Sequence, residues 1–179
     1  MADLRDAEVT IVGGGAIGCA VAYCLARAGY SDIQILERGE LAAATSSQAA
    51  GLVGQVRSSP ERTRLAMASV AMYSRIEEET GYTADWRQTG SIRIAITGER
   101  VQEFRMMAGV AAAAGLEVEF LGSGRLAELF PPLDCGHAKA ALWCPTDGYL
   151  QPHSLVMAYA RPRCSPGRWR RCPCWCGSR

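Results

Sequence analysis

At 179 residues the chain has room for one ordinary domain, and its 49% hydrophobic and 21% charged composition suits a globular protein with a packed core. A formal net charge of +1 gives no ground for nucleic acid or an anionic membrane as partner. No apolar run approaches the ~18 residues of a membrane span. The charge is uneven, however: residues 1–160 carry a net −5 and the last nineteen a net +6. Residues 1–8 lack the basic and apolar regions of a signal peptide, so a cytoplasmic location is expected. That compartment suits Cys19, Cys24, Cys135 and Cys144, isolated residues that read as small core side chains or spare thiols.

Residues 8–12 read as a short buried strand, rich in β-branched side chains and stopped by Gly13, Gly14 and Gly15. Residues 16–28 read as a helix with Ile17, Val21, Cys24, Leu25 and Ala28 on one apolar face, ended by Gly29. A second strand over 32–36 completes a βαβ unit, whose strands must be parallel and joined by a right-handed crossover. The small residues of 41–55 favour a loop with a helix start.

Ser59 and Pro60 then open a helix that is expected to run through Leu65, Met72 and Ile76 to Glu79 and stop at Gly81. Residues 86–88 and 91–96 flank Thr89 and Gly90 as a hairpin, with Ile92, Ile94 and Ile96 alternating. A helix over 101–114 capped by Gly115, a strand over 117–121 and a short helix over 126–130 follow, the last ended by Pro131 and Pro132. Residues 140–144 form a candidate strand, and 151–160 begin a helix after Asp147 and Gly148.

At Arg161 the composition changes to arginine, cysteine, proline and tryptophan with no acid. Cys164, Cys172, Cys174 and Cys176 suggest a metal site, but zinc sites space paired cysteines by two to four residues and no histidine is near. Residues 161–179 read first as the out-of-frame product of a GC-rich gene, with a basic disordered tail and a metal or redox role as alternatives. Residues 1–160 then form the functional region.

Gly13, Gly15 and Gly18 fit the G-x-G-x-x-G spacing that opens a dinucleotide site. The first allows a tight turn out of the strand, the second lets a pyrophosphate approach the backbone, and the third lets the helix pack closely. The amides and positive dipole end at Ala16 and Ile17 would hold the phosphates, and Glu37, closing the second strand, would accept hydrogen bonds from ribose hydroxyls.

The turn does not choose between NAD and FAD. Residues 12–18, 36–41, 45–52, 78–81, 89–95 and 145–149, taken in order, resemble the FAD-dependent oxidoreductases of the D-amino-acid-oxidase superfamily, most of all the dimethylglycine and sarcosine dehydrogenase branch. The resemblance covers about residues 8–160 and implies an α/β fold. A Rossmann-like FAD-binding domain with a parallel sheet, incomplete here, would be joined by part of an antiparallel substrate-domain sheet. It implies a flavoprotein that oxidises the C–N bond of a small-molecule amine such as sarcosine or dimethylglycine, a hydride passing to the flavin. It places Arg38 beside the adenosine, and Thr45, Ser46, Ser47, Gln48 and Gly51 along the pyrophosphate and flavin ring. Residues that grip a substrate carboxylate or act as base fall beyond this chain in such enzymes, so no catalytic residue and no electron acceptor is assigned.

One departure matters. The histidine that bonds covalently to the flavin in those dehydrogenases is matched here by Gln48, which implies non-covalent FAD. The same family includes a regulatory subunit of pyruvate dehydrogenase phosphatase that also lacks this histidine, so a catalytically silent relative stands as an alternative, as does an NAD-dependent dehydrogenase.

The remaining polar and large residues have plain structural readings. His137 and His153 suit surface loops, Glu77, Glu78 and Glu79 a solvated helix end, Met67, Met72, Met106 and Met107 core positions, and Trp86 and Trp143 packed hydrophobes. The parallel sheet needs a third strand beside the second, following the helix that begins near Ser154. Residues 161–179 are expected to supply nothing suitable, which would leave that edge open to aggregation.

Overall fold

The structure, a computed structural model, describes residues 7–131 and 136–160, and the backbone of 170–172. Its first elements are β1 (Val9–Val12), α1 (Ala16–Arg27), β2 (Ile33–Leu36), β3 (Leu52–Val53), α2 (Pro60–Tyr73) and α3 (Ile76–Thr80). There follow β4 (Arg87–Gln88), β5 (Ser91–Ala95), α4 (Gly98–Ala114), β6 (Glu119–Gly122) and α5 (Ser123–Leu129). The last are β7 (Ala140–Cys144), β8 (Gly148–Tyr149), α6 (Pro152–Ala160) and β9 (Arg170–Cys172). The chain divides into two compact units, one of Met1–Leu52, Tyr73–Trp86 and Leu150–Arg179, the other of Val53–Met72 and Arg87–Tyr149.

In the first unit β1 and β2 pair in parallel from Val9 opposite Ile33 to Val12 opposite Leu36, as the βαβ pattern requires. The helix between them does not bury the face expected of it. Cys19, Ala22, Tyr23 and Ala26 are buried, whereas Ile17 is 82% and Val21 44% exposed, and Cys24 and Ala28 are exposed too. The buried set also has helical spacing, and three of its four members are small, which suits close packing of the helix. α6 packs Leu155, Val156, Ala158 and Tyr159 into the same unit, and the Tyr23 and Tyr159 ring centroids lie 5.3 Å apart.

Glu79 is not the solvated residue expected. The Tyr23 hydroxyl donates to its Oε2, and Arg27 Nη1 lies 2.7 Å from the same oxygen. Burial and the Glu79 carboxylate together push the Tyr23 hydroxyl up to about 12. Glu77 and Glu78 are exposed, as expected.

A second correction concerns the edge of β2. The backbone of β9 pairs with it in parallel, Gln34 opposite Arg170 to Leu36 opposite Cys172, in the order β1-β2-β9. An extended backbone satisfies the open amides and carbonyls of a strand edge whatever its side chains, so an unpromising sequence fills the position. Cys135, Cys164, Cys174 and Cys176 lie outside the described residues.

The single helix expected from Pro60 to Glu79 is two. α2 buries Thr63 and Val70, a seven-residue step that would next bring Glu77 inward. The break at Ser74 and Arg75 changes the phase, and α3 buries Ile76 and Thr80 instead. Gly81 then caps α3 in the left-handed conformation.

The second unit holds an antiparallel sheet in the order β5-β7-β6. α4 covers it with Phe104, which meets Ala95 and Leu142, and α5 brings Leu126 against Leu121 and Ala141. The expected hairpin about Thr89 and Gly90 does not form. β4 pairs with β8 and β5 with β7, so 87–95 and 140–149 run as two long antiparallel partners. Between the pairs Gln88–Gly148 and Ser91–Cys144 two residues face three, a bulge that re-aims both strands.

Met67 and Met107 pack against the core of this unit as expected, while Met106 is 67% exposed. Met72 is half-buried, as are Trp86, 6.1 Å from the Tyr73 ring, and Trp143, 5.3 Å from the Phe130 ring. His137 and His153 are exposed, the latter in the first turn of α6.

Candidate cofactor site

The site is the turn between β1 and α1. Gly13 has φ +106°, a value that only glycine adopts without strain, and its N–H donates to Leu36 O at 2.8 Å. A Cβ on Gly18 would lie 2.0 Å from Gly13 O, so the third glycine of the motif is fixed by backbone contact between helix and turn. At Gly15 a Cβ would meet only Ser46 Oγ, at 3.2 Å. The second glycine thus leaves the approach to the backbone open.

The helix end is partly capped from a distance. Gly15 provides no side-chain cap, and Ala16 N–H donates instead to Ser46 Oγ at 3.0 Å. Cys19 N–H reaches Gly15 O at 3.0 Å. The N–H groups of Gly15, Ile17 and Gly18 have no acceptor among the described residues. Unpaired donors at a positive helix end, with a hydroxyl beside them, fit a diphosphate. Val12 and Ile17, on either side of the turn, are 83% and 82% exposed and add an apolar rim.

Ser46 is held by a loop fastened to the turn. Ala42 N–H donates to Gly14 O at 3.0 Å, and Ser47 N–H to Ala42 O at 3.0 Å. Ala42 is buried with φ +64°, a left-handed conformation that costs an alanine about 1–2 kcal/mol. Nothing in the sequence marks it.

Glu37, at the end of β2, accepts from Gly14 N–H at 2.7 Å through Oε2 and from Gly39 N–H at 3.0 Å through Oε1. These amides, Gly14 first, hold its carboxyl below the usual carboxylate value; the nearby Arg38 charge adds a smaller pull. Burial, and then the Glu37 charge, push the Cys19 thiol up to about 11, so it stays protonated and unreactive.

Gly13, Gly15, Ala16, Ile17, Gly18, Glu37 and Ser46 therefore converge. The other candidates make no hydrogen bond to the turn among the described residues. Arg38, Thr45 and Gln48 are exposed, and Ser47 turns its hydroxyl onto Ala43 O and Ala44 O at 3.1 and 2.8 Å. Gly51 has a packing reason of its own, since a Cβ there would lie 2.0 Å from Leu150 O.

Sequence reasoning also missed Gly14. It is buried, and a Cβ on it would stand 2.4 Å from Leu41 Cδ2 and 3.1 Å from Glu37 Cβ; three consecutive glycines were the available signal. In the second unit it missed Asp147, 1% exposed, whose carboxylate accepts from Gln55 N at 2.8 Å, Gln55 Nε2 at 3.0 Å and Ser91 Oγ at 2.6 Å. Gly90 N–H donates to its carbonyl at 2.8 Å, so Asp147 ties the bulge together. Among the described residues no cluster of three or more histidine, cysteine or acidic side chains could hold a metal ion.

Comparison with known proteins decides the cofactor. The family described as FAD dependent oxidoreductase (DAO) matches residues 8–162. The chain belongs to this family. FAD is accordingly its cofactor, and an NAD-dependent reading is set aside. Among the chain's relatives, dimethylglycine dehydrogenase of Rattus norvegicus is 39% identical over 86% of the chain and 18% of its own length. Sarcosine dehydrogenase of Homo sapiens is 32% identical over 90% of the chain and 18% of its own length. The pyruvate dehydrogenase phosphatase regulatory subunit of Mus musculus is 32% identical over 87% of the chain, again 18% of its own length. All three are described as mitochondrial.

The chain thus spans about a fifth of the length of these curated relatives. Of solved structures, glycine oxidase from Geobacillus kaustophilus superposes with a TM-score of 0.76 at 29% identity, over 92% of the chain and 46% of its own. L-proline dehydrogenase from P. horikoshii gives 0.80 at 24% identity over 87% and 41%, and shares the fold. No helix among the described residues is long and apolar enough to cross a membrane.

Proposed function

We propose that this oxidoreductase chain, over residues 1–160, is the FAD-binding part of an enzyme that oxidises the C–N bond of a secondary or tertiary amine such as sarcosine or dimethylglycine. The observation that carries the cofactor half is the set of amides at Gly15, Ile17 and Gly18, unpaired among the described residues, beside the Ser46 hydroxyl. Gly13 and Gly18 shape that cradle, Ala16 shares its amide with Ser46, and Glu37 keeps lone pairs for the ribose. Arg38, Thr45, Ser47, Gln48 and Gly51 complete the proposed lining. The similarity to dimethylglycine and sarcosine dehydrogenases supports the substrate half. When bound, FAD supplies the two-electron acceptor for amine oxidation. The chain's own groups bind and orient it.

Gln48 supports a dissociable flavin, because its amide is no nucleophile. The cytoplasm is the proposed location; the free thiols of Cys19, Cys24 and Cys144 fit any reducing compartment. Residues 161–179 are proposed as an aberrant segment, of which the backbone of 170–172 pairs with the edge of β2. The likeness to a phosphatase regulatory subunit favours a second reading, a catalytically silent relative.

The chain mixed with FAD and desalted is expected to keep an absorption band near about 450 nm, and acid precipitation should release all of the flavin. No band, or flavin left on the precipitate, would overturn the non-covalent assignment. The natural protein should reduce a redox dye with sarcosine or dimethylglycine. A flavin-loaded protein that reduces no dye with either amine would favour the regulatory reading.

A further inference from the structure

We infer that Glu37 is a positioning residue for the cofactor cradle: its carboxylate braces the glycine turn and forms it before any dinucleotide arrives. The inference rests on the cofactor reading above and adds a task to the ribose contact expected of this acid.

Three consecutive glycines are the least constrained backbone a chain has, and ordering them on binding would cost affinity. Here the middle one is held on both sides. Gly14 N–H donates to Glu37 Oε2 at 2.7 Å, and Gly14 O accepts from Ala42 N–H at 3.0 Å. Gly14 therefore offers a ligand nothing, whereas the amides of Gly15 and Ile17 have no acceptor among the described residues. The second carboxylate oxygen takes Gly39 N–H at 3.0 Å, which fixes the side chain from the other end.

A carboxylate serving the ribose alone need not lie against the turn. Yet a Cβ on Gly14 would stand 3.1 and 3.2 Å from Glu37 Cβ and Cγ. The two residues are fitted to each other. Each oxygen accepts one amide and retains a lone pair, so bracing leaves room for ribose hydroxyls. The amides also disperse a negative charge that would otherwise repel the phosphates.

Backbone amide exchange of the whole chain without ligand tests the brace directly. Glu37→Leu removes both acceptor oxygens, so neither Gly14 N–H nor Gly39 N–H keeps its partner. Gly14 should then exchange about ten- to hundred-fold faster, as expected for a lost hydrogen bond to a charged acceptor. Glu37→Asp keeps the charge but is one methylene short, and should give a smaller acceleration. Inorganic pyrophosphate, which has no ribose, gives an independent reading: Glu37→Leu should bind it more weakly although the protein has lost a repelling charge. Unchanged exchange at Gly14, with pyrophosphate bound equally or more tightly, would reduce Glu37 to a ribose ligand and overturn the inference. If the unaltered chain bound neither FAD nor pyrophosphate the cofactor reading would fall, while the Gly14 exchange would still decide whether the brace exists.

Discussion

The parallel β1-α1-β2 unit and the antiparallel β5-β7-β6 sheet differ in what specifies them. In the first, the decisive contacts run through the backbone: Gly18 against Gly13 O, and Gly13 N–H on Leu36 O. In the second they are side-chain contacts, such as those of Phe104 of α4 with Ala95 and Leu142. The first unit also leaves Val12 and Ile17 open beside its glycine turn, whereas helices cover the second unit's sheet with apolar side chains on α4 and α5. A site is built where the chain forgoes packing, and stability where it completes it.

The largest effect that would test this contrast is Phe104→Ala. Phe104 is fully buried, and its truncation should cost about 3–5 kcal/mol in a denaturant melt. FAD affinity of the molecules that remain folded should stay within about twofold of the unaltered chain, and a parallel collapse of flavin binding would show that the units do not separate in this way. Gly18→Ala should do the reverse. Its new methyl group would meet the Gly13 carbonyl at 2.0 Å, and the resulting overpacking costs about 1–3 kcal/mol. Most of that strain falls on the turn, so flavin retention after desalting should be lost while the melt changes modestly. Retention at the level of the unaltered chain would mean that the helix can slide away without harm.

The same contrast explains what could be read in advance. Glycine spacing, the βαβ unit and the acid closing β2 are local signals, and seven of the twelve proposed cofactor residues converge on the turn. Parallel strands separated by one helix leave few alternatives. Residues 86–96 did not behave so simply, because a two-residue turn containing glycine suits a hairpin and a bulge equally well. Only the partner strand, some fifty residues later, decides between them. The face of α1 was misread for a related reason: large apolar residues mark a buried stripe only when the neighbouring element stands off far enough to admit them. Beside a sheet approached through Gly18, the small residues Cys19, Ala22 and Ala26 go inward and Ile17 stays out. The strained Ala42 and the distant Ser46 cap have no local sequence signature at all.

The smallest expected effect bears on whether local signals matter inside the second unit. Thr97 caps α4 with extended backbone, φ −117° and ψ 157°, and its Oγ1 accepts from Arg100 N–H at 3.2 Å. Removing that acceptor in Thr97→Ala leaves a first-turn amide to water, at a cost of about 1 kcal/mol. The loss stays small because α4 spans 17 residues and is anchored further along by Phe104 and Ala111, so its first turn can fray without releasing the sheet. Thr97→Ser retains the hydroxyl and should melt within a few tenths of a kcal/mol of the unaltered chain. A loss from Thr97→Ala as large as that from Phe104→Ala would mean that the start of α4, and not its packing, holds this unit together, and the contrast between a site specified through the backbone and a core specified by side chains would fail.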